Sequence, residues 1–314
     1  MLRLLGSRLL QLVGVLLAVT FISWWLLSLL PGDPCFLSVG TGATEDQLEQ
    51  CRSDLNLDED IVTQYRTWLG NSLQGDLGRS YLNNITVTQS LGQKLPVTLW
   101  LLVYSQLIAL VIAVPLGLLA GYKQGGWIDR IVSGAAFAML ATPSFVLGVF
   151  LLVLFAVRLD WYDIGSYVGP TENLLEHWKV MVLPSVALAA GTLPVYLRLL
   201  RTDVIQTLQE DFVGVARAKG MPPAHVLFRH VLRPSSFTLL TVAGIQAGQF
   251  INGALIIEFL FELDGVGAFL ITSVFAQEFL IVQSLVALIA TTFVVFNFVV
   301  DLTYSFLDPR VRRR

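Results

Sequence analysis

Charge is what this chain has least of. Asp, Glu, Lys and Arg make up 14% of its 314 residues, against about 25% in ordinary soluble domains. It is 55% hydrophobic and its mean hydropathy is +0.70, so a polytopic membrane protein is expected. Cysteine is scarcer still. There are two, Cys35 and Cys51, and no Cys-x-x-Cys or Cys/His cluster suggests a metal site. No Gly-x-x-x-x-Gly-Lys-Ser/Thr run occurs, so the chain has no phosphate loop and is not an ATPase. No Ser/His/Asp set or His-Glu-x-x-His stands in a plausible place, so no catalytic residue is assigned. His225 and His230 lie in a basic segment where neither catalysis nor metal binding is expected. An internal repeat and mid-span charge, the marks of an ion-driven secondary transporter, are both missing. So is a catalytic constellation at membrane depth.

What is present is a set of long uncharged runs. A bilayer core of roughly 30 Å needs about 20 apolar residues in a helix. Six segments qualify or nearly so: Leu9 to Leu30, Val97 to Tyr122, Ile131 to Val157, Val180 to Leu197, Phe237 to Ile257 and Leu280 to Val300. The first begins like a signal peptide but lacks a small-x-small cleavage site, so it is read as a retained span. The fourth is the shortest and holds Pro184, Gly191 and Pro194, which predicts a kinked helix packed inside a bundle.

Lys and Arg set the orientation. With the N-terminus inside, the inner segments hold Arg3, Arg8, Lys123, Arg130, Arg198, Arg201, Arg217, Lys219, Arg229, Arg233, Arg310, Arg312, Arg313 and Arg314. The outer ones hold only Arg52, Arg66, Arg79, Lys94, Arg158 and Lys179. Both termini are therefore expected in the cytosol. Residues 31–95 form a polar outer segment, expected to fold as a small cap. "TEDQ", Thr44 to Gln47, has capping-box spacing and predicts a helix start. A second helix is expected over Asp58 to Leu69, stopping at Gly70. Cys35 and Cys51 lie in this oxidising-side segment, either as a disulfide tying the exit of the first span to the cap or as two buried thiols. Trp24, Trp25 and Trp100 are expected to anchor at the membrane interface.

The stretch "DFVGVARAKGMPPAHVLFRHVLRP", Asp211 to Pro234, interrupts all this. Asp203 to Lys219 reads as one helix, Gly220 as its left-handed stop, and Pro222 and Pro223 as the first turn of a helix over Ala224 to Leu232. Leu227 and Val231 fall one turn apart there, with Arg229 and Arg233 on another face. The residues alone leave two readings: a basic loop that only fixes topology, or a docking element for a cytosolic partner.

"VGVARAKGMPPAHVLFRHVL" resembles the cytoplasmic loop of ABC importer permeases, most closely the dipeptide/oligopeptide/nickel branch, where "ARAKG" and "RH-L" are usual. "LLPGDP", "LNLDEDIVTQYRTWLGNSLQGDLGRSY", "LPVTLWL", "TPSFVLG", "GALIIEFLFELDGVG" and "DPRVRRR" resemble that branch in the same order along nearly the whole chain. The general loop starts Glu-Ala-Ala where this chain has Gly214, Val215 and Ala216. It ends Leu-Pro where this chain has Leu232, Arg233 and Pro234. A Pro-Gly-x-Gly is replaced by Asp264-Gly265-Val266-Gly267. The resemblance implies an all-α, six-span type I importer permease: an N-terminal stub and first span (1–30), an outer cap (31–95), a five-helix permease core (96–307) with its coupling loop at 203–234, and a basic tail (308–314). It further implies that Gly214, Ala216, Arg217, Ala218, Lys219, Gly220 and His230 belong to the coupling loop, whose contact with an ATPase subunit transmits closure to the spans.

By the same resemblance the chain is a subunit of a peptide importer, with nickel or another small solute as the alternative cargo and an ion-driven transporter as the less favoured class. Its partners are a second homologous permease, two ABC ATPase subunits that hold ATP and Mg, and an external substrate-binding protein. This chain itself binds no cofactor and no nucleic acid. Gln246, Gln249 and Asn252 recur about three residues apart in the fifth span, which puts them on one face as candidate pathway lining. Glu258, at the outer end of that span, is a further candidate. Interhelical hydrogen bonding without substrate contact is the competing reading for all four. Asp301 is expected to anchor the inner end of the sixth span.

Overall fold

In lipid a backbone must satisfy its own N–H and C=O groups, so long apolar runs become helices. The computed structural model describes residues 2–29, 35, 43–54, 58–165 and 167–307, which hold no strand beyond an isolated bridge between Arg79 and Thr86. The helices are α1 (Leu2–Ser28), α2 (Glu45–Asp54), α3 (Ile61–Leu73), α4 (Val87–Tyr122), α5 (Trp127–Ala141), α6 (Ser144–Leu152, extended by a π-helical turn Val153–Arg158), α7 (Leu174–Ala189), α8 (Leu193–Thr207), α9 (Asp211–Ala218), α10 (Leu232–Leu260), α11 (Val266–Phe275) and α12 (Phe279–Leu307). Three are long and apolar enough to cross a membrane unbroken: Leu10–Ser28 in α1, α4, and Phe279–Phe296 in α12. Three bent helix pairs bring the total to as many as six if each pair is one span. Most of "LLPGDP" and all of the tail "DPRVRRR" lie outside the described residues.

The chain packs as two compact units. One is made of residues 1–97 and 265–295, the other of 98–264 and 296–314.

In the first unit the two helices that follow α1 start where polar caps dictate. The Thr44 N–H donates to Gln47 Oε1 at 3.0 Å, half of the expected capping box, and α2 begins at Glu45. Asp60 caps α3 by accepting from the N–H groups of Val62 and Thr63. Helix α3 does not stop at Gly70 as expected. It runs on to Leu73, because an open surface around Gly70 lets the glycine sit in mid-helix. One face of α3 lies on α1: the Tyr65 and Thr20 hydroxyls are hydrogen-bonded at 2.8 Å, Phe21 meets the Tyr65 ring edge-on, and Trp24 lies 5.7 Å from Trp68. Trp24 therefore packs against Tyr65 and Trp68 of α3, where the sequence led us to expect an interface anchor. Helix α12 joins the same set. Gln283 Nε2 donates to the Thr20 carbonyl at 2.8 Å, Trp68 Nε1 to Ser284 Oγ at 3.4 Å, and Ser284 Oγ to the Leu77 carbonyl at 2.6 Å. The turn after α3 is held by the buried carboxylate of Glu278, which accepts from Ser80 Oγ at 3.0 Å and the Tyr81 N–H at 3.2 Å. Burial first, and that carboxylate second, push the Tyr81 hydroxyl up to about 12. Cys35 and Cys51 are bonded to each other, tying Cys35 to α2.

In the second unit every span that lies wholly inside it is bent. Helices α5 and α6 meet at 95°, across Thr142 and Pro143. This segment had read as one run, Ile131 to Val157. Thr142 is extended because the ring of a following proline disfavours the helical region. Helices α7 and α8 meet at 58° across residues 190–192, the kink expected of the fourth span. The break falls at Gly191; Pro184 stays within α7. Helix α10 bends by 53° between Gly248 and Phe250. The core of this unit joins α8, α9 and the stretch leading into α10 through Leu197, Leu200, Val204, Val213, Ala216, Val226 and Val231.

Candidate functional site

The segment from Asp203 to Pro234 is not the single helix, turn and second helix that its sequence suggests. Helix α8 ends at Thr207, and Glu210 is extended. That break lets α9 turn so that Val213 (0% exposed) and Ala216 (4%) enter the core beside Leu200 and Val204. Burying a valine side chain fully stabilises by about 1.5–3 kcal/mol, enough to fix the face of a helix of eight residues.

The stop at Gly220 is as expected. Its φ is +72°, its N–H donates to the Arg217 carbonyl at 2.9 Å, and the Met221 N–H reaches back to the Ala216 carbonyl at 3.3 Å. That pair of bonds is a Schellman motif. A Cβ at Gly220 would meet nothing within 4 Å, so the glycine is needed for its backbone angle, not for space. Pro223 opens a new helical turn, Pro223–His225. The rest of the expected helix differs: Val226–Val231 is π-helical and passes without a break into α10. Pro234 has no N–H to close an α-helical bond in this stretch, and a wide turn takes up the slack.

The expected loop residues are thus sorted. Gly214, Arg217, Ala218, Lys219 and Gly220 are exposed. Ala216 faces the protein's own core, which removes it from any outer contact surface. His230 is half-buried, with its ring 5.8 Å from that of His225. Two apolar side chains not singled out in the sequence stand outward on α9, Phe212 at 45% and Val215 at 53% exposure, with Phe228 beyond the turn. Their placing needed the fold: Phe212 and Ala216 stand four residues apart on one side of the helix, so the sequence does not say which of them faces out.

The fifth-span candidates fare differently. Gln246 is half-buried and Asn252 exposed, and the bend after Gly248 falls between them. A 53° bend breaks the regular three-residue face on which their grouping was based. The Gln249 side chain and that of Asp301 lie outside the described residues. Glu258 is fully buried near the end of α10. At Gly253 a Cβ would stand 2.8 Å from Leu188 Cδ1, so α10 and α7 meet closely there.

Polar groups that the sequence did not flag do bridge helices. Tyr196 donates to Gln106 Oε1 at 3.0 Å and Gln106 Nε2 donates to the Ala243 carbonyl at 3.4 Å, joining α4, α8 and α10. Gln106 is the one amide side chain in the run Val97 to Tyr122, which was a readable signal. His177 is fully buried, with Nδ1 2.8 Å from the Val168 carbonyl and Nε2 3.1 Å from the Tyr104 hydroxyl. Trp100 stacks on Tyr104.

None of this is reaction machinery. The geometry instead pairs a bent-span membrane body with a braced helix that turns apolar and cationic groups outward, which fits a membrane component rather than a catalytic centre. The family comparison agrees: residues 113–313 match the binding-protein-dependent transport system inner membrane component and residues 1–102 match its N-terminal region, so the chain belongs to that family. It is an inner-membrane permease subunit of an ABC transporter, not an enzyme, and such subunits work with ATPase and substrate-binding partners. Among curated relatives, the chain is 33% identical over 306 residues, 98% of each chain, to a Brucella abortus protein named for a peptide transport system permease. It is 34% identical over 306 residues, 98% of this chain and 97% of the relative, to the glutathione transport system permease protein GsiC of Pectobacterium atrosepticum. It is 30% identical over 305 residues, 97% of each, to a peptide ABC transporter permease protein of Sinorhizobium fredii.

Proposed function

We propose that this subunit forms half of the translocation pathway of an ATP-driven importer of short peptides, and that α9 with its Gly220 turn is where an ATPase subunit docks. The observation that carries the reading is the outward face of α9. Phe212 and Val215 are exposed beside Arg217 and Lys219, on a helix whose other face is fixed in the core. Grooves on partner proteins take amphipathic helices by such apolar anchors, and flanking cations set register. A peptide cargo is supported by relatives named for peptide and glutathione transport, glutathione being itself a short peptide. ATP and Mg belong to the docked subunits. A second, homologous permease completes the pathway, an external protein delivers the peptide, both termini lie in the cytosol, and residues 31–95 cap the outer face.

The test is a mild-detergent purification of the tagged chain from its own cells, read by mass spectrometry, followed by uptake of labelled di- and oligopeptides into vesicles. The expected outcome is a second six-span permease, ATPase chains, and ATP-dependent uptake. The chain recovered alone, with ion-driven uptake in vesicles lacking ATP, would overturn the reading. Gly220→Val sharpens it. A β-branched residue at φ +72° is strained by about 1–2 kcal/mol, so the turn shifts. Membrane insertion and ATP hydrolysis are expected to persist while uptake falls at least tenfold.

A further inference from the structure

Residues 123–126 form a tight turn between α4 and α5, and that turn is fastened to α8, the helix that leads into α9. The fastener is Asp129, in the first turn of α5 and 4% exposed. Its Oδ2 accepts from Arg201 Nη2 at 2.8 Å and from the Gly125 N–H at 2.8 Å. Its Oδ1 accepts from Arg201 Nε and from Ser133 Oγ, the latter at 3.2 Å. One carboxylate thus holds the turn, its own helix and α8 together. The guanidinium meets it through two parallel donors, which fixes orientation as well as distance.

The helices beside this pair leave little room to slide. A Cβ on Gly117 would lie 3.0 Å from the Leu197 carbonyl, and one on Gly121 would lie 3.0 Å from the Arg201 carbonyl and 2.6 Å from Val204 Cγ1. Helix α4 therefore rides directly on the backbone of α8 along the stretch that ends at Arg201. Helix α8 in turn shares a core with α9, since Leu200 and Val204 pack in one cluster with Val213 and Ala216.

A buried ion pair is weak evidence for stability, because desolvation offsets the attraction. What it does supply is register: a bidentate pair with further donors has one low-energy arrangement, and sliding α8 past the α4–α5 turn would leave a buried carboxylate unpaired. The path from the exposed face of α9 to Asp129 is short and continuous: Val213 and Ala216, then Val204 and Leu200, then Arg201.

We propose that Asp129 and Arg201 are positioning residues that carry a displacement of α9 into the α4–α5 turn, so that the second and third spans move with the fourth when an ATPase subunit pushes on α9. This rests on the docking assignment of α9 made above, and the two can fail separately.

The experiment uses the complete transporter in proteoliposomes and reads the peptide delivered per ATP hydrolysed, together with recovery of ATPase chains on the tagged permease. Asp129→Asn removes the charge without changing shape, and Arg201→Lys keeps the charge but loses the two-donor contact. Both are expected to retain the ATPase chains and hydrolyse ATP within twofold of the parent. Peptide per ATP should fall at least tenfold for Asp129→Asn and to a smaller degree for Arg201→Lys. Unchanged peptide per ATP in both variants would overturn the inference while leaving docking intact. A parallel loss of assembly in both would also overturn it, since the pair would then serve folding alone. Phe212→Glu tests docking by itself: it should shed the ATPase chains. If it keeps them with normal uptake, the docking assignment falls and this inference falls with it.

Discussion

The two compact units of this chain hold their helices together by different devices. In the unit of residues 1–97 and 265–295, the membrane-length segments of α1 and α12 are unbroken and the ties among α1, α3 and α12 are mostly neutral: the Thr20–Tyr65 hydroxyl pair, Gln283 donating to the Thr20 carbonyl, and Trp68 donating to Ser284. The disulfide between Cys35 and Cys51 adds a covalent stitch. In the unit of residues 98–264 and 296–314, three helix pairs are bent by 53° to 95°, glycines bring backbones into contact, and the half-buried Arg201 pairs with the buried Asp129. Straight helices crosslinked by side-chain hydrogen bonds make a frame. Bent pairs meeting at glycine contacts concentrate any change of shape at a few breaks, and packed contacts pass it on as rigid-body movement. The segment assigned to ATPase docking belongs to the second kind of construction.

The largest expected effect tests whether the first unit is separately braced. Replacing Cys35 and Cys51 by serine releases a closed loop with a sequence separation of 16, worth about 3 kcal/mol in the chain-entropy account. Limited proteolysis of the detergent-purified protein on heating should show fragments cut near α2 and α3 at a lower temperature than in the parent, with α7 to α9 unaffected. Simultaneous cutting in both units would show that they unfold as one and would break the comparison.

How much of this was legible in the sequence follows from the kind of signal each feature has. The apolar helices, three unbroken and three bent pairs, were legible because length and lack of charge are local. So were the kink at Gly191, the Gly220 stop and the Thr44 cap. The bend at Pro143 was present in the sequence but hidden by the even greasiness of Ile131 to Val157. The start of α4 at Val87 rather than Val97 was missed because Thr88, Gln89, Ser90 and Gln93 are polar yet helical. The break between α8 and α9 was not legible at all, since nothing in Thr207 to Glu210 forbids a helix. It exists because Val213 and Ala216 reach the core that way. The Asp129–Arg201 pair joins residues 72 apart, and charge pairing at that range leaves no periodic trace. For the docking segment, motif and turn were visible, but the inward placing of Ala216 and the outward placing of Phe212 needed the fold.

A middle-sized effect probes the second unit. Gly121→Ala places a methyl 2.6 Å from Val204 Cγ1 and 3.0 Å from the Arg201 carbonyl. It would also lie 2.8 Å from Val204 Cβ, and neither that atom nor the backbone oxygen can give way without moving α8. Overpacking of this kind costs about 1–3 kcal/mol, and a loss of about 2 kcal/mol in thermal unfolding of the purified subunit is expected. A neutral result would mean that α4 and α8 are free to part, and the picture of a tightly registered lever would go with it.

The smallest effect is the same substitution made in the other unit, with the opposite sign. Gly70 sits inside α3 with no atom within 4 Å of an added Cβ and without a positive φ. A mid-helix glycine destabilises by roughly 0.5–1 kcal/mol relative to alanine, because the unfolded chain has more freedom to lose. Gly70→Ala should therefore raise the stability of the first unit by about that amount, read by the temperature at which protease first cuts α3. Both substitutions add one methyl to a helical glycine, Gly70 inside α3 and Gly121 in the last turn of α4, and what stands opposite the new methyl sets the expected sign. A gain at Gly70 beside a loss at Gly121 would show that glycine in the second unit serves close helix contact, whereas in α3 it is merely tolerated. A loss at both would mean that the surface around α3 is covered, and the first unit would then have a neighbour seated on its cap.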